Sequence, residues 1–336
     1  MSETFEDARE LIADLQRIVT PDGVQENYLL SAGGVDHWVY ARGHDRANPV
    51  ILFIHGGPAS PLAPVSWQFQ RPVEEYFTVV TYDQRAAGRT LHTVDPETIA
   101  DTLTIAQYVA DAIELAEQIR DRYGVEKLIL LGHSWGTIIA TQAALDRPDL
   151  FHAYVGIGQI VDGRANEELC FEYALAQARE HNHTEALEQL ASIAPYPGDE
   201  PVTRERIIIA RDWAQYRGGL SAYRDSSLYF FMAALLSPEY TVAEAQAMGE
   251  GNVFTLGRVL GEMLRVDFTS VHEFPIPVLM FLGRHDYTTP TAPVEAWFNA
   301  VKAPYKQAVW FEHSAHLAPW EEPGKFLVSL LAHLQR

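Results

Sequence analysis

The pattern of apolar positions in the first half of the chain predicts strands and helices in alternation. Continuous apolar or β-branched runs at residues 50–54, 77–82 and 127–131 have strand length, and residues 154–157 are typical of one more strand. Apolar residues at helical spacing predict a one-faced helix over residues 101–123, which Gly124 is placed to end. A second helix is predicted from about residue 135 to Pro148. This alternation favours a mostly parallel sheet with helices on both faces.

The pattern changes over residues 161–266, where the apolar spacing is mostly helical and strand signals are few. Helices are predicted within residues 166–179, 203–216 and 241–248, and strand signals return at residues 276–282 and 308–311. The simplest division is an α/β core built from residues 1–160 and 267–336, interrupted by a helical insertion at residues 161–266. The acidic N-terminal stretch has apolar residues at helical spacing, and it predicts a helix in the first part of the core.

Composition and charge narrow the classes of partner. The chain has 336 residues, 25 Lys and Arg against 45 Asp and Glu, and a formal net charge of −20. A field of that sign disfavours nucleic acid and anionic membranes as partners. The acidic start does not resemble a secretory signal, and no window approaches the 18 apolar residues of a membrane span, so a soluble cytoplasmic protein is expected. The single cysteine, Cys170, excludes an intrachain disulfide and cysteine-based metal sites.

The stretch Gly132-His133-Ser134-Trp135-Gly136 lies where the predicted strand at 127–131 passes into a helix. Gly-x-Ser-x-Gly in this context is the nucleophile elbow, a turn so tight that the serine backbone is strained and its hydroxyl stands clear of the sheet. Side chains at the two glycine positions would collide in such a turn. The helix that follows presents unpaired N–H groups, which favour a developing oxyanion.

A second candidate feature, His55-Gly56-Gly57-Pro58, follows the strand at 50–54. In this position a backbone N–H can face the nucleophile, and Gly57 allows close approach of a substrate because it lacks a Cβ. The N–H groups of Gly57 and Trp135 are therefore the predicted oxyanion donors.

A serine nucleophile needs a general base and an orienting acid, which in this arrangement follow the serine on loops after late strands. Asp286 follows the strand at 276–282 and is predicted to be the acid. His316 follows the strand at 308–311 and is predicted to be the base. Asp162, just past the strand at 154–157, is the alternative acid, and His313 is the alternative base.

These stretches together resemble α/β-hydrolase fold serine hydrolases of the prolyl iminopeptidase-like group. The resemblance covers about residues 25–160 and 268–336, and it implies an α/β-hydrolase fold with an inserted helical lid after the sixth strand. The stretches that carry it are His55-Gly56-Gly57-Pro58, Tyr82-Asp83-Gln84-Arg85-Ala86-Ala87-Gly88-Arg89, Gly132-His133-Ser134-Trp135-Gly136, Gly283-Arg284-His285-Asp286 and Ser314-Ala315-His316.

The chain departs from this family at several positions. Ala59 and Ala86 stand where the family usually has glycine, so these two loops are expected to differ in shape. Proline iminopeptidases hold the free α-amino group of the substrate with lid glutamates, one in a Glu-Asn-x-Tyr-Phe-like stretch that residues 161–266 lack. Glu167 and Glu168 near the start of the lid are the candidates here, and Gly56 and Trp213 are further candidate substrate contacts.

The resulting hypothesis is a cofactor-independent, metal-independent serine hydrolase that cleaves a peptide, amide or ester bond of a small molecule or short peptide through an acyl-enzyme. An esterase or lactonase acting on a small apolar substrate is the alternative within this class. A non-catalytic binding module of the same fold is the alternative from another class, and it would require a broken triad. Epoxide and haloalkane hydrolases of this fold have aspartate in place of the serine, so Ser134 argues against them.

Overall fold

The structure is a computed structural model that describes residues 2–334. One eight-stranded sheet has the order β1-β2-β4-β3-β5-β6-β7-β8. β1 and β2 form an antiparallel hairpin, β2 pairs antiparallel with β4, and all later pairs are parallel. The strands are β1 (Val24–Ala32), β2 (Val35–Gly43), β3 (Val50–Ile54), β4 (Thr78–Tyr82), β5 (Leu128–His133), β6 (Phe151–Ile157), β7 (Val278–Gly283) and β8 (Lys306–Phe311). The predicted mostly parallel sheet is confirmed.

Helices cover both faces of this sheet. Those of the first half are α1 (Ser2–Gln16), α2 (Pro96–Ile99), α3 (Ile105–Tyr123) and α4 (Trp135–Asp146). Between β6 and β7 lie α5 (Gly163–Glu180), α6 (Thr184–Ile193), α7 (Arg204–Ala214), α8 (Leu228–Phe231) and α9 (Val242–Met263). The last are α10 (Thr291–Ala300), α11 (Ala318–Glu321) and α12 (Pro323–Leu334). Helices thus occupy the segment for which a lid was predicted, and the exact boundaries of that insertion stay a prediction.

The central strands are buried on both faces because their side chains alternate between two cores. Leu52 and Leu130 point to the core that α3 and α4 cover, whereas Phe53 and Leu131 point to the core that α12 covers. Every residue of β3 and β5 is buried, which explains why these strands are continuously apolar in sequence. The carboxyl ends of the parallel strands therefore meet on a rigid edge, from which side chains can be held in place.

Two properties of the described residues concern membrane spans and metal binding. None of their helices combines the length and apolar character needed to cross a membrane. Within residues 2–334, no group of three or more His, Cys, Asp or Glu side chains is arranged to hold a metal ion.

Candidate active site

Ser134 occupies a strained turn between β5 and α4. Its backbone has φ 55° and ψ −125°, a conformation that non-glycine residues rarely adopt. The turn brings β5, α4 and the loop after β3 close together: a Cβ on Gly132 would lie 2.9 Å from that of Ala140, and one on Gly136 would lie 2.6 Å from the carbonyl oxygen of His55. The two glycines are therefore required by close backbone approach.

Asp286 and His316 form a buried pair at the ends of β7 and β8. His316 Nδ1 lies 2.9 Å from Asp286 Oδ2, and the two side chains are almost fully buried. The other carboxylate oxygen, Oδ1, accepts hydrogen bonds from the backbone N–H groups of Thr288 (2.9 Å) and Thr289 (2.8 Å). Because Asp286 accepts from Nδ1, the imidazole is oriented with Nε2 left to act as a proton acceptor.

Ser134 and His316 line the same cavity. Among the described residues no hydrogen bond joins the serine hydroxyl to the imidazole, whereas the Asp286–His316 bond is formed. Bonds of this kind are often long in unliganded enzymes and tighten only when substrate binds. The three side chains predicted to act as nucleophile, base and acid thus lie together at one edge of the sheet.

A buried network joins the two candidate oxyanion donors. Gln84 lies after β4, and its side-chain amide donates to the carbonyl oxygen of His55 (2.7 Å) while its side-chain oxygen accepts from the indole N–H of Trp135 (2.9 Å). The backbone N–H of Gln84 donates to His55 Nε2, so His55 Nδ1 donates to the carbonyl oxygen of Gly56. Burial lowers the pKa of His55 to about 4, which keeps this ring neutral at pH 7. Gln84 therefore connects the Gly56-Gly57 loop to the residue after the nucleophile.

The loop after β3 lies against Ser134. A Cβ on Gly56 would come within 3.0 Å of the Cβ of Ser134, and Gly57 has φ 124°. The N–H of Trp135 is the first of α4, and N–H groups at the start of a helix have no intrahelical acceptor. The N–H groups of Gly57 and Trp135 stay the predicted oxyanion donors.

His133, the residue before the serine, supports the histidine loop. Its Nε2 donates to the carbonyl oxygen of His316 (3.0 Å), and the two rings lie 4.7 Å apart. Burial, followed by repulsion from His316, lowers the pKa of His133 to about 3. On the other side, a Cβ on Gly158 would lie 2.8 Å from Cε1 of His316, so the end of β6 packs directly on the ring. The His316 imidazole is therefore held between the ring of His133 and the backbone of Gly158.

Residues 219–222 of the helical segment tie the acid loop to the histidine loop, and we call them the strap. The Gly219 carbonyl oxygen accepts from the backbone N–H groups of Tyr287 (3.2 Å) and Thr288 (3.1 Å), and that of Leu220 accepts from the N–H of His316 (3.1 Å). At the other end of the strap, Glu321 accepts from the N–H groups of Ala222 (2.6 Å) and Ala315 (2.8 Å). The helical segment thus contributes directly to the position of the Asp286–His316 pair.

The cavity above Ser134 has a volume of about 610 Å³ and a mostly apolar wall. Apolar side chains come from α7, α8, α9 and α11, among them Ile207, Ile208, Phe230, Phe231, Met248, Leu256 and Trp320. The charged side chains of this wall are Arg204, Arg211 and Asp212, all from α7. A pocket of this size and character suits a small organic molecule or a short peptide.

The four residues predicted to contact substrate lie in different surroundings. Gly56 lines the cavity, but Glu167, Glu168 and Trp213 do not belong to its described lining. Glu167 is buried behind the wall, where it accepts from the Tyr196 hydroxyl (2.6 Å) and pairs with Arg211. Glu168 is exposed and pairs with Arg164, and Trp213 donates to Gln189 on the outer side of the helical segment. Helical periodicity alone did not reveal which face of α5 and α7 meets the cavity.

The alternative acid and base have other surroundings. Asp162 caps α5 by accepting from the N–H groups of Arg164 and Ala165, each at 2.9 Å, and His313 is exposed.

The two alanines that replace family glycines both have a positive φ: it is 55° at Ala59 and 59° at Ala86. Both alanines therefore adopt a left-handed backbone in spite of the Cβ, and the difference in loop shape from the family stays a prediction.

Comparison with known proteins places this geometry in a family. Residues 49–323 match the family model of the alpha/beta hydrolase fold. The chain is 30% identical to the "Probable aminopeptidase YbaC" of Bacillus subtilis, over 90% of this chain and 94% of the relative. It is 26% identical to the "Putative carbamate hydrolase RutD" of Shigella flexneri, over 85% of this chain and 93% of the relative.

Solved structures show the same fold. The proline iminopeptidase-related protein TTHA1809 from Thermus thermophilus superposes with a TM-score of 0.62 at 22% identity, over 93% of this chain and 98% of that one. Since the family model covers most of the chain and the Bacillus subtilis relative covers nearly all of it, the chain belongs to the alpha/beta hydrolase fold family.

Proposed function

We propose that this hydrolase is a serine enzyme that releases the N-terminal residue of short peptides through an acyl-enzyme. The observation that carries the proposal is the arrangement around the cavity: a strained Ser134, a buried Asp286–His316 pair whose Nδ1–Oδ2 distance is 2.9 Å, and two available N–H donors. This arrangement contains each element that acyl transfer by a serine requires.

The reaction follows from the orientation of the imidazole. His316 Nε2 takes the hydroxyl proton of Ser134 as Oγ bonds to the carbonyl carbon, and the N–H groups of Gly57 and Trp135 stabilise the resulting oxyanion. When the tetrahedral intermediate collapses, the C–N bond breaks and His316 returns the proton to the leaving amine. A water, deprotonated by the same histidine, then bonds to the acyl carbon, and His316 returns this proton to Ser134 Oγ as the ester C–O bond breaks. Asp286 holds the ring and stabilises its protonated form.

An aminopeptidase needs an anion near the nucleophile for the substrate's α-amino group. Asp212 on α7 is the acidic residue in the described wall of the cavity, and it forms no hydrogen bond or ion pair with the described residues. Glu167, by contrast, is already engaged by Arg211 and Tyr196. Asp212 is therefore the side chain that we propose to bind the α-amino group. The name of the Bacillus subtilis relative is consistent with this activity.

The mostly apolar wall favours a second candidate, hydrolysis of a small apolar ester. The two activities make opposite demands on Asp212, because a neutral ester gains nothing from an anion in the pocket. Comparing turnover of Pro-Ala-Ala and of prolyl 4-nitroanilide with turnover of 4-nitrophenyl butyrate therefore separates them. Under the peptidase proposal, wild type hydrolyses at least one of the two proline substrates, and Asp212→Asn raises KM for that substrate while leaving the ester unaffected.

The serine mechanism itself is tested with Ser134→Ala and the matched control Ser192→Ala, which removes an exposed hydroxyl on α6. Ser134→Ala should abolish both turnover and labelling by a fluorophosphonate, and Ser192→Ala should retain both. Activity that survives Ser134→Ala undiminished would refute the mechanism. Turnover of the ester alone would leave a serine hydrolase but exclude the aminopeptidase.

A further inference from the structure

One face of α7 forms a wall of the active-site cavity. The residues that line it recur at intervals of three and four, the spacing of one helical face, and they are Arg204, Ile207, Ile208, Arg211, Asp212 and Gln215. The first and last charges on this face, Arg204 and Asp212, are eight residues apart, which corresponds to about 12 Å along the helix axis. This wall therefore presents Arg204 near one end and Asp212 near the other, with Ile207, Ile208 and the paired Arg211 between them.

The two arginines of this wall differ in how their charge is balanced. Arg211 is paired with the buried carboxylate of Glu167. Arg204 forms no hydrogen bond or ion pair with any described residue, and its Nε, like that of Arg211, is buried without a partner. Its neighbour Glu205 is exposed and outside the lining of the cavity. Because Arg204 has no carboxylate partner among the described residues, its guanidinium is a candidate to bind an anionic group that arrives with the substrate.

We propose that Arg204 binds the C-terminal carboxylate of the substrate, and that the enzyme therefore acts on short peptides with a free C-terminus. This inference rests on the proposed function, because the same cavity contains Ser134. A guanidinium pairs with a carboxylate through two parallel hydrogen bonds, which gives both affinity and selectivity.

The spacing of the charges on α7 sets the size of this substrate. An extended tripeptide spans about 10 Å, and its amino and carboxylate ends carry opposite charges. The separation of about 12 Å between Asp212 and Arg204 along the axis is close to the length of a peptide of about three residues. A longer peptide would place its carboxylate beyond Arg204, so selection for a free C-terminus is also selection for short length.

The test measures binding to the complete chain carrying Ser134→Ala, so that it does not depend on turnover. Isothermal titration compares Pro-Ala-Ala with Pro-Ala-Ala-amide, and 4-nitrophenyl hydrogen succinate with 4-nitrophenyl butyrate. The same titrations are repeated with Arg204→Gln, Arg204→Lys and Arg179→Gln added. Arg179 is an exposed arginine of α5 outside the cavity lining, so its replacement controls for loss of charge in the helical segment.

We expect the free acid to bind at least about tenfold more tightly than the amide, the scale of a hydrogen bond to a charged group. Arg204→Gln should remove this ratio, Arg204→Lys should restore part of it, and Arg179→Gln should leave it intact. Equal affinity for acid and amide, including no binding of either, would overturn the proposal, as would a ratio that Arg204→Gln leaves unchanged. A preference confined to the succinate ester would instead assign the carboxylate to the acyl side and refute the peptide assignment. Absence of turnover by wild type is a separate result, which counts against the proposed function.

Discussion

Replacing Gln84 with leucine tests whether the two halves of the oxyanion site depend on one another. Gln84 is fully buried, and it bonds to the carbonyl oxygen of His55 and to the indole N–H of Trp135. Leucine has a similar size and can bond to neither, so the substitution leaves one acceptor and one donor buried without partners. Each such group costs about 1–3 kcal/mol, so the free energy of unfolding should fall by about 2–6 kcal/mol.

The same substitution should reduce catalysis, because the Gly56-Gly57 loop and the start of α4 lose their shared contact. Loss of one donor to an oxyanion costs on the order of 10²-fold or more in kcat, and a displaced donor should approach this value. Urea unfolding gives the stability, and the rate of fluorophosphonate labelling of Ser134 reports on the oxyanion site without any assumption about the substrate.

Two control variants sharpen the test. Gln118→Leu removes a half-buried glutamine whose solvent-exposed hydrogen bond goes to the Ser31 carbonyl oxygen, and it should change stability by no more than about 0.5 kcal/mol. Gln84→Glu keeps an acceptor for Trp135 but removes the donor to His55, so it should slow labelling even if it folds more stably than the leucine variant. Labelling of Gln84→Leu at the wild-type rate would refute the assigned role.

Three further predictions concern the acid, a buried carboxyl and the packing of the histidine. Asp286→Asn should lower kcat by on the order of 10⁴-fold, because the imidazole loses the acceptor that orients it. Unfolding monitored by fluorescence should change little. A kcat within tenfold of wild type would point to another acid. Burial raises the pKa of Asp83 from 3.8 to about 7, so the folded state binds more protons than the unfolded chain between these values. The free energy of unfolding should therefore decrease as pH rises from about 4 to 7, and Asp83→Asn should flatten this decrease in urea titrations at several pH values. Gly158→Ala places a methyl group 2.8 Å from the His316 ring and should lower kcat by about 10²-fold, whereas Gly34→Ala, a left-handed glycine with open space around it, should not alter kcat.

The central strands were predictable from sequence because they are buried on both faces and are therefore continuously apolar. The β1–β2 hairpin was missed because β1 is an edge strand whose polar residues, Gln25, Glu26 and Asn27, interrupt the apolar pattern. The signal that would have revealed it is the Gly33-Gly34 pair, which forms the turn with φ 54° and 77°.

Helix α9 was predicted over residues 241–248 but extends to Met263. Four glycines within residues 249–263 lower the helix propensity of this part, so the pattern is weak there. At one of them, Gly251, a Cβ would meet the Cβ of Ala59 at 3.3 Å and would overlap the carbonyl oxygen of Ala86. Close packing on the loops near the active site therefore outweighs local propensity, a tertiary effect that local sequence does not reveal.

For the site, the sequence placed Ser134, Asp286 and His316 through motif order, and the structure brings them to one edge of the sheet. The sequence did not reveal the role of Gln84. This residue lies within residues 82–89, one of the stretches that resemble the family, but its role depends on contacts with His55 and Trp135. The sequence also could not separate Glu167 from Asp212, because the difference between a buried ion pair and a cavity wall depends on which face of a helix is turned inward.

The strap limits how the covering helices can be exchanged in protein engineering. Because residues 219–222 hydrogen-bond to the backbone of Tyr287, Thr288 and His316, the covering helices are also part of the frame of the proposed proton-transfer apparatus. Grafting the covering segment of a relative onto this core, a common way to change specificity, would remove that frame unless the graft reproduces the acceptors at Gly219 and Leu220. Passage of a peptide into and out of the pocket must then rely on parts of the cover other than residues 219–222, which keep their hydrogen bonds to the core.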